Sequence, residues 1–242
     1  MNRTLALLAA VLLAAPALRA APLDDFQTRV RADLIKPFAL DLGGVIGGAS
    51  AHTGRTLGMP GFWVGVVGAV QTHPDKDDRI LNNAGVKAFG LPMLEAGVGL
   101  PLNIDVIAHG VRAYGVSLFG AGVRWGVYKT GLVTTFLPNL AIEAFGDKAN
   151  HKDFNATHGS LNAVATWDLP IVKPFFLAGG DITKVTVGSA VTPGVAGMSE
   201  TARGTRFAAG VDLHPFPFAS VRADYTLRHG IPGFDFGIGA QF

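Results

Sequence analysis

Apolar and polar side chains alternate one by one along most of this chain. At the end, Phe234, Phe236, Ile238, Ala240 and Phe242 share one face, while Asp235, Gly237, Gly239 and Gln241 share the other. Just upstream, Ala219, Val221, Ala223, Tyr225 and Leu227 alternate with Ser220, Arg222, Asp224, Thr226 and Arg228. Successive side chains of a strand point to opposite faces, so each segment has one apolar and one polar side. The rhythm recurs over 93–101, 116–128, 155–168 and 204–213, and more weakly over 61–72, 104–112, 138–147 and 174–187. With 217–228 and 233–242 this predicts ten strands, longer than the ~5–6 residues usual in soluble sheets and close to the ~9–11 that cross a bilayer. The polar face mixes arginine with aspartate, as a water-filled or salt-bridged lumen does. A closed sheet in lipid needs such faces, because no backbone edge can be left in hydrocarbon. The pattern predicts an all-β fold, a transmembrane antiparallel up-and-down β-barrel of 10–12 strands. A soluble β-sandwich or lipocalin-like barrel is the competing fold.

Composition narrows the function classes. The 242 residues are 49% hydrophobic and 16% charged, with a net charge of +2, which excludes a disordered chain. There is no cysteine, hence no disulfide framework, no thiolate metal site and no cysteine nucleophile. No basic patch suggests nucleic acid. The first residues, MNRTLALLAAVLLAAPALRAAP, place Arg3 before an apolar run from Leu5 to Ala15, followed by small residues at Ala17, Ala20 and Ala21. That is the layout of a secretory signal peptide, too short in its apolar part for a ~20-residue membrane span. Cleavage is expected after Ala20, with Ala17 and Ala21 as alternatives.

Residues 1–20 are therefore expected to be a leader, 21–60 an N-terminal helix and glycine-rich segment, and 61–242 the barrel. Phe26, Val30 and Leu34 recur at helical spacing, acids stand at the start, and Pro37 ends the pattern. Beyond it, 38–49 could be an eleventh strand with a twelfth in 131–136, or lie elsewhere. The segment is expected to plug the lumen. Gly97, Gly99, Gly120, Gly122, Gly126, Gly210, Gly237 and Gly239 would clear space for it. Its charges Asp24, Asp25, Arg29, Arg31, Asp33 and Lys36 would pair with luminal Glu95, Asp105, Arg124, Glu143, Arg206, Asp212, Arg222, Asp224 and Asp235. Alternatively the helix lies in the periplasm and the glycines relieve strand curvature. Trp63, Trp125, Trp167, Tyr128 and Tyr225 are candidates for an interfacial aromatic girdle where they fall near strand ends.

Terminal Phe242, closing an aromatic-alternating strand, resembles the signature by which the outer-membrane assembly machinery recognises bacterial barrels. The chain also resembles a functionally uncharacterised family of outer-membrane barrels. The likeness lies in an N-terminal helix before a glycine-rich stretch, a strand like GAGVRWG (120–126) and a turn like LPNLA (137–141). In layout alone it is similar to the long-chain fatty-acid outer-membrane transporters, whose N-terminal segment plugs the pore. The resemblance implies an exported bacterial outer-membrane protein, partnered by membrane lipid and the assembly machinery. Its expected role is a gated channel or binding protein for a small solute, an apolar one among the candidates. A closed structural or surface-interaction barrel is the alternative. A lipid hydrolase is the third reading, because His158-Gly159-Ser160 resembles the His-x-Ser pair of outer-membrane lipid A deacylases; no Glu follows on that strand or the next, and no enzyme role is expected. No histidine pair has zinc spacing, and no nucleotide or cofactor motif is present.

Overall fold

The computed structural model describes residue 23 and residues 25–48, 50, 52–131, 134, 136–189, 191 and 193–242. The expected leader and Asp24 lie outside these. Ten strands form: β1 (Phe62–Gln71), β2 (Phe89–Leu100), β3 (Ile104–Ala113), β4 (Val116–Tyr128) and β5 (Asn139–Asn150), then β6 (Phe154–Thr166), β7 (Val172–Val187), β8 (Ser199–Phe216), β9 (Ala219–Arg228) and β10 (Ile231–Gln241). Each pairs antiparallel with its chain neighbours, and β1 pairs with β10 to close the barrel. The closure extends to the chain end. Phe62 N–H donates to the Phe242 carbonyl at 2.8 Å, and Phe242 N–H returns a bond to Phe62 at 2.9 Å. Closure leaves no sheet edge.

The period of two fixes which face is which. Outward side chains form an apolar belt: Phe119 is 66% exposed, Leu161 60% and Phe176 62%. Inward positions hold nearly all the buried charge, including Glu95, Asp105, Arg124, Glu143, Arg206 and Asp235. At one end, called here the terminal end, β1 starts and β10 finishes, and apart from 129–138 the connections are five residues or fewer. The other, the loop end, carries the longer connections 72–88 and 188–198. Trp63 departs from the girdle expectation: it faces inward, and its indole N–H reaches Ser220 Oγ at 3.5 Å. Trp125 and Tyr225 do face outward, 51% and 46% exposed.

The N-terminal segment lies inside the barrel, and its helix is not where the spacing put it. A short helix α1 (Phe26–Arg29) stops at Val30, whose ψ of 134° is extended. One 3-10 turn (Ala32–Leu34) follows, and the long helix α2 (Ile35–Gly48) begins where the expected one should end. Pro37 sits in the first turn of α2, where no intrahelical bond needs its missing N–H. Residues 38–48 are thus helical rather than an eleventh strand, and residue 49 lies outside the described residues. Gly131, Thr134 and Phe136 lie in no strand; 132, 133 and 135 are outside the described residues.

Each glycine inside a helix costs about 1 kcal/mol relative to alanine, and α2 has four. The barrel wall explains them. A Cβ at Gly43 would collide with Thr183, at Gly47 with Arg206, and at Gly48 with the Arg228 guanidinium; at Gly44 it would stand 3.1 Å from His229 Nε2. Two adjacent glycine pairs, four residues apart, make a flat helix face on which long wall side chains lie. The wall glycines serve differently from expectation. Gly97, Gly99 and Gly126 do make room for the plug, at Leu57, Gly58 and Thr56. Gly120, Gly122, Gly210 and Gly239 instead make room for other wall residues: Asp147 and His109, Phe145, Asp224 and Trp63. Gly237 meets Val67 and Arg222.

Gly47→Val is expected to lift α2 off the wall while the barrel still closes. Amide exchange across 35–48 should then accelerate with the folded-barrel gel mobility kept; unchanged protection would contradict the packing described.

Candidate functional site

The lumen is filled in three layers. At the loop end the fill is apolar. Phe26, Phe38 and Phe154 form a ring trio with centroids 4.9–5.2 Å apart. Leu23, Leu34 and Ile35 join them, with Met93, Leu118 and Val187 from the wall. The β1–β2 connection closes over this cluster through helix α3 (Arg79–Asn83), whose Ile80 and Leu81 are buried. Asp78 caps α3, accepting from Ile80 N–H at 3.0 Å and Leu81 N–H at 3.1 Å. Asp41 of the plug helix ties the same connection down. Its carboxylate accepts from Gln71 Nε2 at 2.7 Å and from the Asp75 N–H at 2.8 Å.

The middle layer is charged. His109 spans from Glu95, at 3.5 Å, to Asp147, at 2.5 Å, and Ser50 of the plug sits 3.1 Å from its Nδ1. Asp181 holds Arg206 at 3.1 Å, and Arg206 also donates to the Gly47 carbonyl at the end of α2. Cations at a helix C-terminus complement its dipole. Arg228 pairs with Asp235. Towards the terminal end, Glu143 joins three partners: Arg124 at 2.7 Å, His52 at 2.5 Å and the Thr53 N–H at 3.2 Å. Arg124 also reaches Asp105, 3.2 Å away, and Asp105 accepts the Leu57 N–H at 3.0 Å. Arg222 binds Asp224 at 3.3 Å and donates to the His52 carbonyl, with its guanidinium 4.0 Å from the Phe175 ring centroid.

In the third layer the plug leaves the lumen. Arg55 lies 3.4 Å from Asp168, which also meets Lys173 at 3.8 Å. Two hollows open beside this exit, about 50 and 160 Å³ in volume; the first reaches Glu95, Arg124 and Arg222.

All nine luminal residues singled out from the sequence face inward, but the plug charges expected to meet them do not reach them. Asp25 pairs with Arg29 at 3.0 Å, Arg31 with Asp33 at 3.8 Å, and Lys36 is exposed. All sit at the loop-end mouth, because the chain enters there and descends, so the luminal charges are met by Gly47, Ser50, His52, Thr53 and Leu57 rather than by residues 25–36. Within the wall, Arg206 pairs with Asp181, and Asp212 pairs with His214 at 2.9 Å. Sequence reasoning missed Asp41, Ser50, His52, His109, Asp147, Asp181 and Arg228. The strand alternation already put the last four on the inward face.

Chemically the arrangement is a fastening. Ser50, His109 and Asp147 form a hydroxyl–imidazole–carboxylate chain, yet neither hollow reaches it. His158 directs Nδ1 to Thr183 Oγ1 at 3.0 Å, and Ser160 Oγ has no protein partner, so the His-x-Ser pair makes no base–hydroxyl bond. Among the described residues no cluster of three or more His, Cys, Asp or Glu could hold a metal ion.

No family model and no curated protein matches the chain. Solved structures that it is similar to include Neisserial surface protein A, at 14% identity over 74% of this chain and 95% of that one, TM-score 0.32. Another is the attachment invasion locus protein Ail of Yersinia pestis, at 15% over 76% and 100%, TM-score 0.31. A third is a loop-deletion mutant of OmpT, an outer membrane protein of Vibrio cholerae, at 15% over 63% and 54%, TM-score 0.32.

Two outcomes follow from this geometry. Glu143→Ala strips a fully buried carboxylate from Arg124 and His52, a loss of about 3–5 kcal/mol for a broken buried pair. Its folded band should melt at a lower temperature on gels, and an unaltered transition would count against the network. The second concerns pH. Burial, with the Asp41 carboxyl beside it, pushes the Asp78 carboxyl up to about 8 from 3.8. Between those values the folded chain holds a proton that the unfolded chain has released, so this site's contribution to stability falls as pH rises from about 4 to 8. Amide protection of residues 75–86 should decline across that window, and Asp78→Asn should flatten the decline while keeping the cap.

Proposed function

We propose that this chain is a bacterial outer-membrane barrel, exported by residues 1–20, whose barrel (61–242) is closed at rest by its own N-terminal segment (21–60). The belt of outward Phe, Leu, Val and Ile supports residence in lipid, since exposed apolar surface on this scale is not tolerated in water. In such barrels the short turns and both barrel termini face the periplasm and the longer loops face outward. On that orientation the terminal end is periplasmic, and the chain threads the lumen from the cell surface inward. Phe242, 73% exposed at the end of the closing strand, is available as an assembly signal.

The closed state rests on one observation: the fill is continuous from end to end. An apolar cluster occupies the outer mouth, a charge network the middle, and a hydrogen-bonded extended segment the exit. A small solute passes only when residues 23–58 leave, and the two hollows at the exit form the vestibule that it would enter. The expected gated channel therefore becomes a barrel whose default is non-conducting. The likeness to the uncharacterised barrel family and to fatty-acid transporters stays at the level of layout. A hydrolase is not part of this proposal, because His158 meets Thr183 and not Ser160.

Planar-bilayer recording tests it. The intact protein should give no steady conductance, and a variant lacking residues 23–58, with barrel folding checked by gel mobility, should conduct and admit small sugars into liposomes. Steady conductance by the intact protein would overturn the closed state, and a silent, folded deletion variant would favour a purely structural or surface-interaction barrel.

A further inference from the structure

The outward face of the barrel is almost free of charge, with one exception. Near the loop end, four cations point outward and are exposed: Arg112 on β3, Lys148 on β5, Lys184 on β7 and Arg203 on β8. The register joins three of them. Lys148 stands opposite Thr157, Thr157 opposite Lys184, and Lys184 opposite Thr201, one row across four adjacent strands. Arg203 faces Ile182, one outward position below Lys184 on β7, which makes Arg203 and Lys184 diagonal neighbours about 7–8 Å apart. Lys148 and Lys184 are two strands apart, roughly 10 Å. Arg112 extends the band through its β4 partner Ser117.

Three features separate this band from an ordinary solvated surface. No outward position of β3–β8 carries an acid, and none of the four cations has an ion-pair partner among the described residues. The band sits directly on the apolar belt: Phe119 lies opposite Lys148, and Ile182 is the next outward residue below Lys184. It is also one-sided, since the outward positions of β9, β10, β1 and β2 hold no charge at all. Long cationic side chains at the rim of an apolar belt bury their stems and lift their charge to headgroup level. Negative lipid attracts such cations, and each adds to the binding. Unpaired cations backed by hydroxyls from Thr157 and Thr201 offer charge-assisted donors suited to phosphate oxygens.

From this placement we infer that the outer face of β3–β8 binds the phosphate groups of a membrane lipid in the leaflet at the loop end, more than one phosphate at a time. The inference rests on the membrane residence proposed above and adds the chemistry and the sector of the lipid contact. Acyl chains would lie against Phe119, Leu161 and Ile182, and phosphates across Lys148, Lys184 and Arg203. The site is part of the wall, so it is independent of the plug.

The test is a lipid titration of the full-length protein in a neutral detergent, read by native mass spectrometry. The probes are phosphatidic acid, phosphatidylcholine, inorganic phosphate and a heparin oligosaccharide. Phosphatidic acid should be retained in preference to phosphatidylcholine, and inorganic phosphate at equal concentration should not displace it. Combined Lys148→Gln, Lys184→Gln and Arg203→Gln should weaken phosphatidic acid about a hundredfold. Lys76→Gln with Lys87→Gln, basic residues of the β1–β2 connection, should leave it unchanged. Equal retention by the triple variant, equal affinity for phosphatidylcholine, or displacement by inorganic phosphate would overturn the inference. Heparin bound through the same three residues while phosphatidic acid is not would make the band a polysaccharide surface, which overturns it as well. A chain that stays dissolved without detergent fails the membrane proposal at purification, before any lipid is added.

Discussion

A closed sheet with an apolar exterior turns its polar side chains toward a space of its own making, and those side chains need partners there. Ten strands enclose more room than side chains alone fill, and here the inner surface carries arginines, carboxylates and histidines that are almost wholly buried. Each would be costly if left alone. The N-terminal segment supplies the missing partners: the Gly47 and His52 carbonyls for Arg206 and Arg222, the Thr53 and Leu57 amides for Glu143 and Asp105, and the Asp41 carboxylate for Gln71. Barrel and plug thus complete one another, and neither has a satisfied interior alone.

The way the plug is held bears on what the protein can do. Its loop-end part is secured by ordinary apolar burial, centred on three phenylalanine rings. Its middle is secured by buried ion pairs, whose net contribution is small because desolvation offsets their attraction. Buried pairs nevertheless fix geometry, since breaking any one of them leaves a charge stranded. Such a plug is precisely seated without being immovable, a suitable property for a resting closure. The glycine face of α2 works in the same direction. It sacrifices helix propensity so that Arg206, Arg228 and Thr183 can lie flat against the backbone.

The barrel was legible because a strand's period is two and a bilayer requires long strands. Residues such as Phe119 and Arg124 on β4, or Phe234 and Asp235 on β10, announce their faces without any tertiary information. The helix was less legible. Phe26, Val30 and Leu34 have helical spacing, yet Val30 is extended, while the glycine-rich 43–48 is helical. That outcome depends on the wall at Thr183, Arg206 and Arg228, more than a hundred residues away, which no local pattern encodes. The same distance explains the plug pairings. Charges at Asp25, Arg29 and Lys36 looked available, but the direction in which the segment threads the lumen assigns them to the mouth. The quieter stretch from Gly47 to Leu57, contributing mostly backbone, meets the luminal ions.

Everything else depends on α2 lying inside the barrel against β7. A Cβ at Gly43 would stand 3.0 Å from the Thr183 Cβ, closer than the ~3.5–4.5 Å of a disulfide, so a shift of α2 by about half an ångström brings the two into bonding range, and the chain has no cysteine to compete. Gly43→Cys with Thr183→Cys, oxidised mildly in native membranes and analysed by peptide mass spectrometry, is therefore the most direct measurement. A cross-link between the α2 and β7 peptides is expected in the folded protein. Two free thiols in a properly closed barrel would place the helix elsewhere and contradict it.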